Sequence, residues 1–240
     1  MIRILFLFWY GVGLILMLTI GVPKALSFSN GMFLVLFAVY AASIEGKLGE
    51  QAAVRWRRIA LVGLLTFGIE WAGVQTGWPF GEYAYTSVLG FKVGGVPFTI
   101  ACAWVGVLLT AILLARGRSK WGRALQAGMW TVIFDLVLDP VAYARQFWIW
   151  QGEGGYYGVP ASNFISWFLI SASLSLFFPV RDISVPVYRE AVRLTQLMLF
   201  MFGLLGLKEG LYVPMQVALA GALLAEGVLR YDLSSEKQMV

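Results

Sequence analysis

The chain is 240 residues long, 60% hydrophobic and 13% charged, with a mean hydropathy of +0.77 and a net charge of +5. Soluble domains carry about 25% charged residues, so the composition excludes an ordinary soluble domain and points to a membrane protein. Histidine is absent and Cys102 is the single cysteine, which excludes intrachain disulfides, cysteine clusters, histidine-rich di-iron boxes, histidine-ligated haem and histidine-based triads.

A helix that crosses a bilayer takes about 20 residues. Eight apolar stretches meet or approach that length: 4–22, 29–45, 58–75, 97–115, 121–139, 161–178, 190–207 and 211–229. The expected fold is all-α, a polytopic membrane helix bundle of about eight transmembrane helices. It forms one integral membrane domain over 1–240, with a core at 58–178 and a polar tail at 230–240. The first run follows Arg3 in the manner of a signal peptide. It is long for that purpose and no small-residue cleavage site follows, so it reads as a helix.

The third run carries an acid, Glu70, about one turn before its end. Residues 76–97, TGWPFGEYAYTSVLGFKVGGVP, then break the apolar pattern with glycines, aromatics, Glu82 and Lys92. The fifth run ends in FDLVLDP, which places Asp135 and Asp139 four residues apart on one helix face. Pro140 disfavours helix at the residue before it, so Asp139 is expected at the helix mouth. Asn163 lies at the start of the sixth run, where a helix N-cap is an equal reading. The segment FPVRDISVPVYRE, 178–190, is the seam that sets helices seven and eight apart from the core. The seventh run is the weakest span, because its first turn is polar. In the eighth, Glu226 and Arg230 fit an i,i+4 ion pair.

GVPFTIACAW (95–104) and GVPASNFISW (158–167) both read Gly-Val-Pro, six residues, Trp. Each follows an aromatic, glycine-rich loop and opens an even-numbered helix. The echo suggests that helices 3–4 and 5–6 are two similar hairpins.

The basic residues set the orientation. With even numbering of the spans, one side holds Arg3, Lys47, Arg55, Arg57, Arg58, Arg116, Arg118, Lys120, Arg123, Arg181, Arg189, Arg193, Arg230 and Lys237. The other holds Lys24, Lys92, Arg145 and Lys208. The positive excess marks the cytoplasmic side, so both termini are expected in the cytoplasm. The net charge then reflects topology and anionic lipid, not nucleic acid binding.

Ionisable groups inside a membrane are costly and mark function by default. The topology puts Glu70, Asp135, Asp139 and Asn163 at similar depth on the side opposite the basic residues, with the two aromatic loops capping them. Structural roles compete with this: Glu70 paired with Lys92 or Arg145, and Trp78, Tyr83, Tyr85, Tyr156 and Tyr157 as an interfacial aromatic belt. Carboxyls gathered in an apolar layer suit acid–base work on an apolar substrate. A carboxyl kept protonated by burial and like charge can protonate an alkene. Aromatic faces stabilise the cation, and a second carboxylate takes a proton from water. A magnesium-diphosphate prenyltransferase would need a second aspartate pair and more bases than Arg145. A rhodopsin-like pigment would need a lysine deeper than Lys208. A lipid transporter is the non-enzyme alternative.

The blocks GIEWAGVQTGWPFGEYAYTSVLGFKVGGVPFTIACAW, DLVLDPVA and FWIWQGEGGYYGVPASNFISWF together resemble the membrane carotenoid hydratase family, over roughly residues 63–170. The resemblance implies addition of water across the terminal C1=C2 bond of an acyclic carotenoid ψ-end. It also implies no metal, no redox cofactor, a multi-pass cell-membrane location and a carotenoid drawn from the bilayer. Other membrane enzymes of the pathway are the implied partners. The physical argument assigns Asp135 or Glu70 as proton donor, Asp139 as base and Asn163 as the group that positions water. Trp78, Phe80, Glu82, Tyr83, Trp104, Tyr143, Tyr156, Tyr157 and Trp167 are the substrate-pocket candidates. Asn163 and Trp167 also resemble an Asn-x-x-x-Trp pattern of membrane lycopene cyclases, which share the protonation step. A cyclase is therefore the runner-up.

Overall fold

The computed structural model describes residues 1–117, 119–152 and 154–238. Of the basic residues tallied above, Arg118 and the Lys237 side chain lie outside the described residues. The described chain forms eight α-helices: α1 (Ile2–Leu18), α2 (Phe28–Glu45), α3 (Ala52–Thr76), α4 (Ile100–Leu114), α5 (Lys120–Ala144), α6 (Ala161–Ser175), α7 (Val185–Lys208) and α8 (Tyr212–Gln238). Four short strands lie between them: β1 (Tyr83–Tyr85), β2 (Lys92–Val93), β3 (Val96–Pro97) and β4 (Trp148–Trp150). Five segments are long and apolar enough to cross a membrane: Lys24–Leu48, Ala52–Thr76, Lys120–Ala144, Val185–Lys208 and Tyr212–Ser234. The apolar helices Ile2–Leu18 and Ile100–Leu114 are shorter. The protein is therefore a helical, multi-pass membrane protein.

Exposed Ile4, Phe8, Leu64, Leu169 and Leu223 cover the flanks of the bundle, as expected where the solvent is hydrocarbon. Small residues let the helices approach inside it. A Cβ on Gly106 of α4 would lie 2.4 Å from the Phe37 ring of α2, and one on Gly128 of α5 would lie 2.8 Å from the Phe168 ring of α6. The seam at 178–190 separates nothing in space, because α7 and α8 both pack on α5.

Ion pairs knit the basic end together. Arg181 reaches Glu45 at 3.2 Å and Glu50 at 2.6 Å, Arg58 pairs with Glu50, and Arg116 with Asp232. At the far end Arg145 pairs with Glu209 at 2.8 Å and Lys208 donates to the Met17 carbonyl.

Helices α4 and α6 have 15 residues each. At 1.5 Å per residue that is about 22 Å, short of the roughly 30 Å hydrocarbon layer. The segments before them are irregular and carry the four short strands. Irregular backbone within a membrane protein needs internal partners, and here each segment supplies the other's. Strand β1 pairs antiparallel with β4, in the register Tyr83↔Trp150, Ala84↔Ile149 and Tyr85↔Trp148. Thr86 N donates to Phe147 O at 3.1 Å and Gln151 N to Glu82 O at 2.8 Å, extending the ladder at both ends.

Pro140 does not end α5, which continues to Ala144. The expected helix mouth at Asp139 is corrected: Asp139 sits inside the helix. Proline leaves the carbonyl four residues back without its helical donor. The Tyr156 hydroxyl donates to that carbonyl, Leu136 O, at 3.1 Å, so the helix passes the proline with its acceptor satisfied.

Candidate active site

Strand side chains alternate between faces. Tyr83 and Tyr85 therefore share one face of β1, and Trp148 and Trp150 one face of β4; all four are buried while Ala84 and Ile149 are exposed. The pairing register makes these four rings one plate, with Tyr83 and Trp150 centroids 5.0 Å apart. The plate faces two acids. Glu70 Oε2 accepts from the Tyr83 hydroxyl at 2.5 Å and the Tyr85 hydroxyl at 2.8 Å, and Glu70 Oε1 accepts from Trp104 Nε1 at 2.7 Å. Asp139 Oδ1 accepts from Trp148 Nε1 at 2.7 Å and Trp150 Nε1 at 3.1 Å. Burial pushes both phenols well above the ordinary tyrosine value, so both keep their protons and donate.

Asn163 joins the second acid to a third. Its Nδ2 donates to Asp139 Oδ2 at 2.6 Å and to Asp135 Oδ2 at 2.8 Å. The N-cap reading of Asn163 is thereby replaced, since α6 is capped at Pro160. Asp135 Oδ1 has no hydrogen-bond partner among the described residues. Glu70, Asp135, Asp139 and Asn163 are between 1% and 3% exposed, so none of them is a surface charge. Glu70 pairs with neither suggested base: Lys92 donates to Tyr85 O and Arg145 is held by Glu209.

Glu70, Asp139 and Asn163 line one elongated cavity, while Asp135 lies off its wall, one helical turn along α5. The cavity is a narrow slot of about 90 Å³. Its walls are almost wholly apolar, as in most small-molecule sites. Trp104 and Trp167 stack on each other at its side, 3.8 Å between centroids and 13° apart. Away from the acids the slot runs between α1, α2 and α7, past Tyr10, Gly13, Phe33 and Phe202.

Four of the nine residues expected in the substrate pocket, Phe80, Tyr83, Trp104 and Trp167, lie on the wall. The other five do not. Trp78 is 76% exposed and belongs with the outward aromatics of that end. Glu82 is exposed and meets β4 through its backbone carbonyl. Tyr143 packs beneath Gly158, Tyr156 caps the Leu136 carbonyl, and the Tyr157 hydroxyl accepts from Val213 N at 3.3 Å. The reading of the sequence missed Tyr85 as a donor and missed Trp148 and Trp150 altogether. Their signal is the alternation in Tyr-Ala-Tyr and Trp-Ile-Trp, one in each lid segment.

Residues 30–225 match the carotenoid biosynthesis protein family. The chain belongs to that family. The match reaches well beyond the central blocks and takes in α2, α7 and part of α8. The bisanhydrobacterioruberin hydratase of Haloarcula japonica is 36% identical over 166 residues, which is 65% of this chain and 56% of that protein. The alignment therefore spans a little over half of the relative's length. No solved structure matches the chain.

Proposed function

We propose that this protein adds water across the terminal C1=C2 bond of an acyclic carotenoid ψ-end, giving a tertiary 1-hydroxy end. The observation that carries the reading is a single apolar slot with a carboxyl group on each of two facing elements, Glu70 on α3 and Asp139 on α5, each held by its own set of N–H or O–H donors. The family membership and the name of the Haloarcula relative support the same chemistry.

The geometry favours a division of labour. Two carboxyls bridged by one amide in a buried, apolar layer hold a single negative charge between them. Asp135 and Asp139 are such a pair, and Asp139 is the member on the slot wall. Asp139 therefore delivers the proton to C2 of the polyene tip, Asp135 shares that proton, and the indole donors on Asp139 Oδ1 hold the carboxyl in position. This moves the donor role from Asp135 to its neighbour. The C1 cation that forms lies among the faces of Trp104, Trp148, Trp150 and Trp167. Glu70, held by three donors on its carboxylate, is the base of the second step. It takes a proton from the water that attacks C1, and that proton returns to the aspartate pair before the next turnover. Alkene and water are consumed and one alcohol is formed.

In this account the cytoplasmic side is the basic end, and the polyene lies along α1, α2 and α7 with its tip at the acids. The runner-up cyclase shares the protonation but quenches the cation with an internal double bond. Expression with an acyclic carotenoid in heavy-oxygen water separates the two. The expected product is an alcohol carrying the label from water. A ring-bearing product of unchanged mass would replace hydration with cyclisation, and an unchanged pigment would favour transport or binding without chemistry.

A further inference from the structure

A second cleft, of about 430 Å³, opens between α1 and α7 at the basic end. Arg3 of α1 and Arg189 and Arg193 of α7 line it, together with Glu190, Leu7 and Phe200. The arginines set it apart. Elsewhere at this end Arg58, Arg116, Arg181 and Arg230 each hold a carboxylate, and Arg55, Arg57 and Arg123, which hold none among the described residues, do not line the cleft. Arg3, Arg189 and Arg193 hold none among the described residues. The acid in the cleft, Glu190, is already engaged by Lys47 and by the Tyr40 hydroxyl. Three guanidinium groups thus face one cleft without a matching negative charge. Guanidinium forks suit phosphate oxygens. Leu7 and Phe200, 38% and 36% exposed, continue the cleft along the apolar flank of the bundle.

We propose that this cleft binds an anionic phospholipid, with the phosphate among Arg3, Arg189 and Arg193 and an acyl chain along Leu7 and Phe200. The combination selects the occupant. A free phosphate uses the arginines but not the apolar wall, and a zwitterionic lipid uses the wall but leaves the positive charge unmatched. The lipid bridges α1 to α7. The Tyr10 hydroxyl donates to Leu197 O at 3.0 Å between the two cavities, Tyr10 lining the acid slot and Leu197 the cleft. Holding α1 here therefore fixes one wall of the slot. Arg189 and Arg193 lie within the residues that match the family and Arg3 lies before them.

The test is native mass spectrometry of the full-length protein in detergent, titrated with phosphatidylglycerol or phosphatidylcholine. One lipid is expected to stay bound with a clear preference for phosphatidylglycerol. Arg189→Gln with Arg193→Gln is expected to weaken that binding roughly thirtyfold, at the strength basic residues exert on an anionic surface. Arg57→Gln with Lys120→Gln removes the same charge away from the cleft and is expected to leave binding within about twofold. Arg189→Lys with Arg193→Lys keeps the charge and guards against a folding defect, and is expected to retain most of the preference. Equal losses in both Gln pairs would reduce the effect to diffuse attraction and overturn the site. Full displacement of the lipid by millimolar inorganic phosphate would make it a free-anion site, and absence of any headgroup preference would remove it.

Discussion

The two hairpins that build the acid slot are alike in plan and different in what they do to their acids. Each consists of a long helix followed by a lid strand and a short helix preceded by Val-Pro, which forms β3 in the first and directly precedes α6 in the second. Their strands pair with Ala84 opposite Ile149 at the centre, and their equivalent tryptophans, Trp104 and Trp167, stack on one another. In the first, one acid collects three donors from the plate and from α4. In the second, two acids share one asparagine, and one carboxyl oxygen has no partner. In the proposed mechanism the repeated scaffold carries the water-activating carboxylate on one side and the proton-delivering pair on the other. The proposed division of roles rests on this asymmetry of polar partners.

The largest expected effect comes from breaking the two sides separately. Asp139→Asn and Glu70→Gln each keep the side chain's shape and remove its acid–base function. Each is expected to lower the rate of alcohol formation about 10²–10⁴-fold, the usual worth of a positioned acid or base. Pigment analysis of purified variants checks this, with size-exclusion profiles confirming the fold. Asp135→Asn leaves the slot wall intact and is expected to cost roughly tenfold. A loss as large as that of Asp139→Asn would return the donor role to Asp135.

The plate gives the next effect. Trp148→Phe and Trp150→Phe each delete one N–H to Asp139, and Tyr83→Phe and Tyr85→Phe each delete one O–H to Glu70. A hydrogen bond to a charged group is worth about 1.5–3 kcal/mol, so each variant is expected to lose about 10–100-fold in kcat/KM. Equal activity in all four would make the plate a structural lid.

The smallest effect tests where the polyene lies. A Cβ on Gly13 would meet only Met17 Cε at 4.0 Å, and Gly13 lines the slot. Gly11 on the same helix has nothing within 4 Å of an added Cβ and is not on the wall. Gly13→Leu is expected to fill the slot and raise KM about tenfold, in line with the worth of a few methylenes in an apolar pocket. Gly11→Leu is expected to leave KM unchanged.

Much of the fold was legible because apolar run length is a strong signal. All eight expected runs correspond to helices, although α3 begins six residues earlier than expected and α4 and α6 are shorter. The acids were legible for the same reason, since an acid in such a run stands out. Three things were not. The passage of α5 through Pro140 depends on Tyr156, which caps a carbonyl twenty residues before it, and no local rule reports that contact. The pairing of β1 with β4 is a contact between two lids that reads as two separate aromatic loops. The share of α1, α2 and α7 in the slot follows from packing, because their apolar faces carry no mark that distinguishes substrate from lipid.

The central claim is that Asp139 protonates the polyene and Glu70 acts afterwards on water. Hydrogen–deuterium exchange into recovered substrate tests it most directly. The carotenoid is incubated in heavy water with Glu70→Gln or Asp139→Asn, and the unreacted pigment is then analysed by mass. The account predicts deuterium at the terminal double bond with Glu70→Gln, where the cation forms and reverts without capture, and none with Asp139→Asn. Deuterium uptake with Asp139→Asn at the rate of the unmodified protein would contradict it.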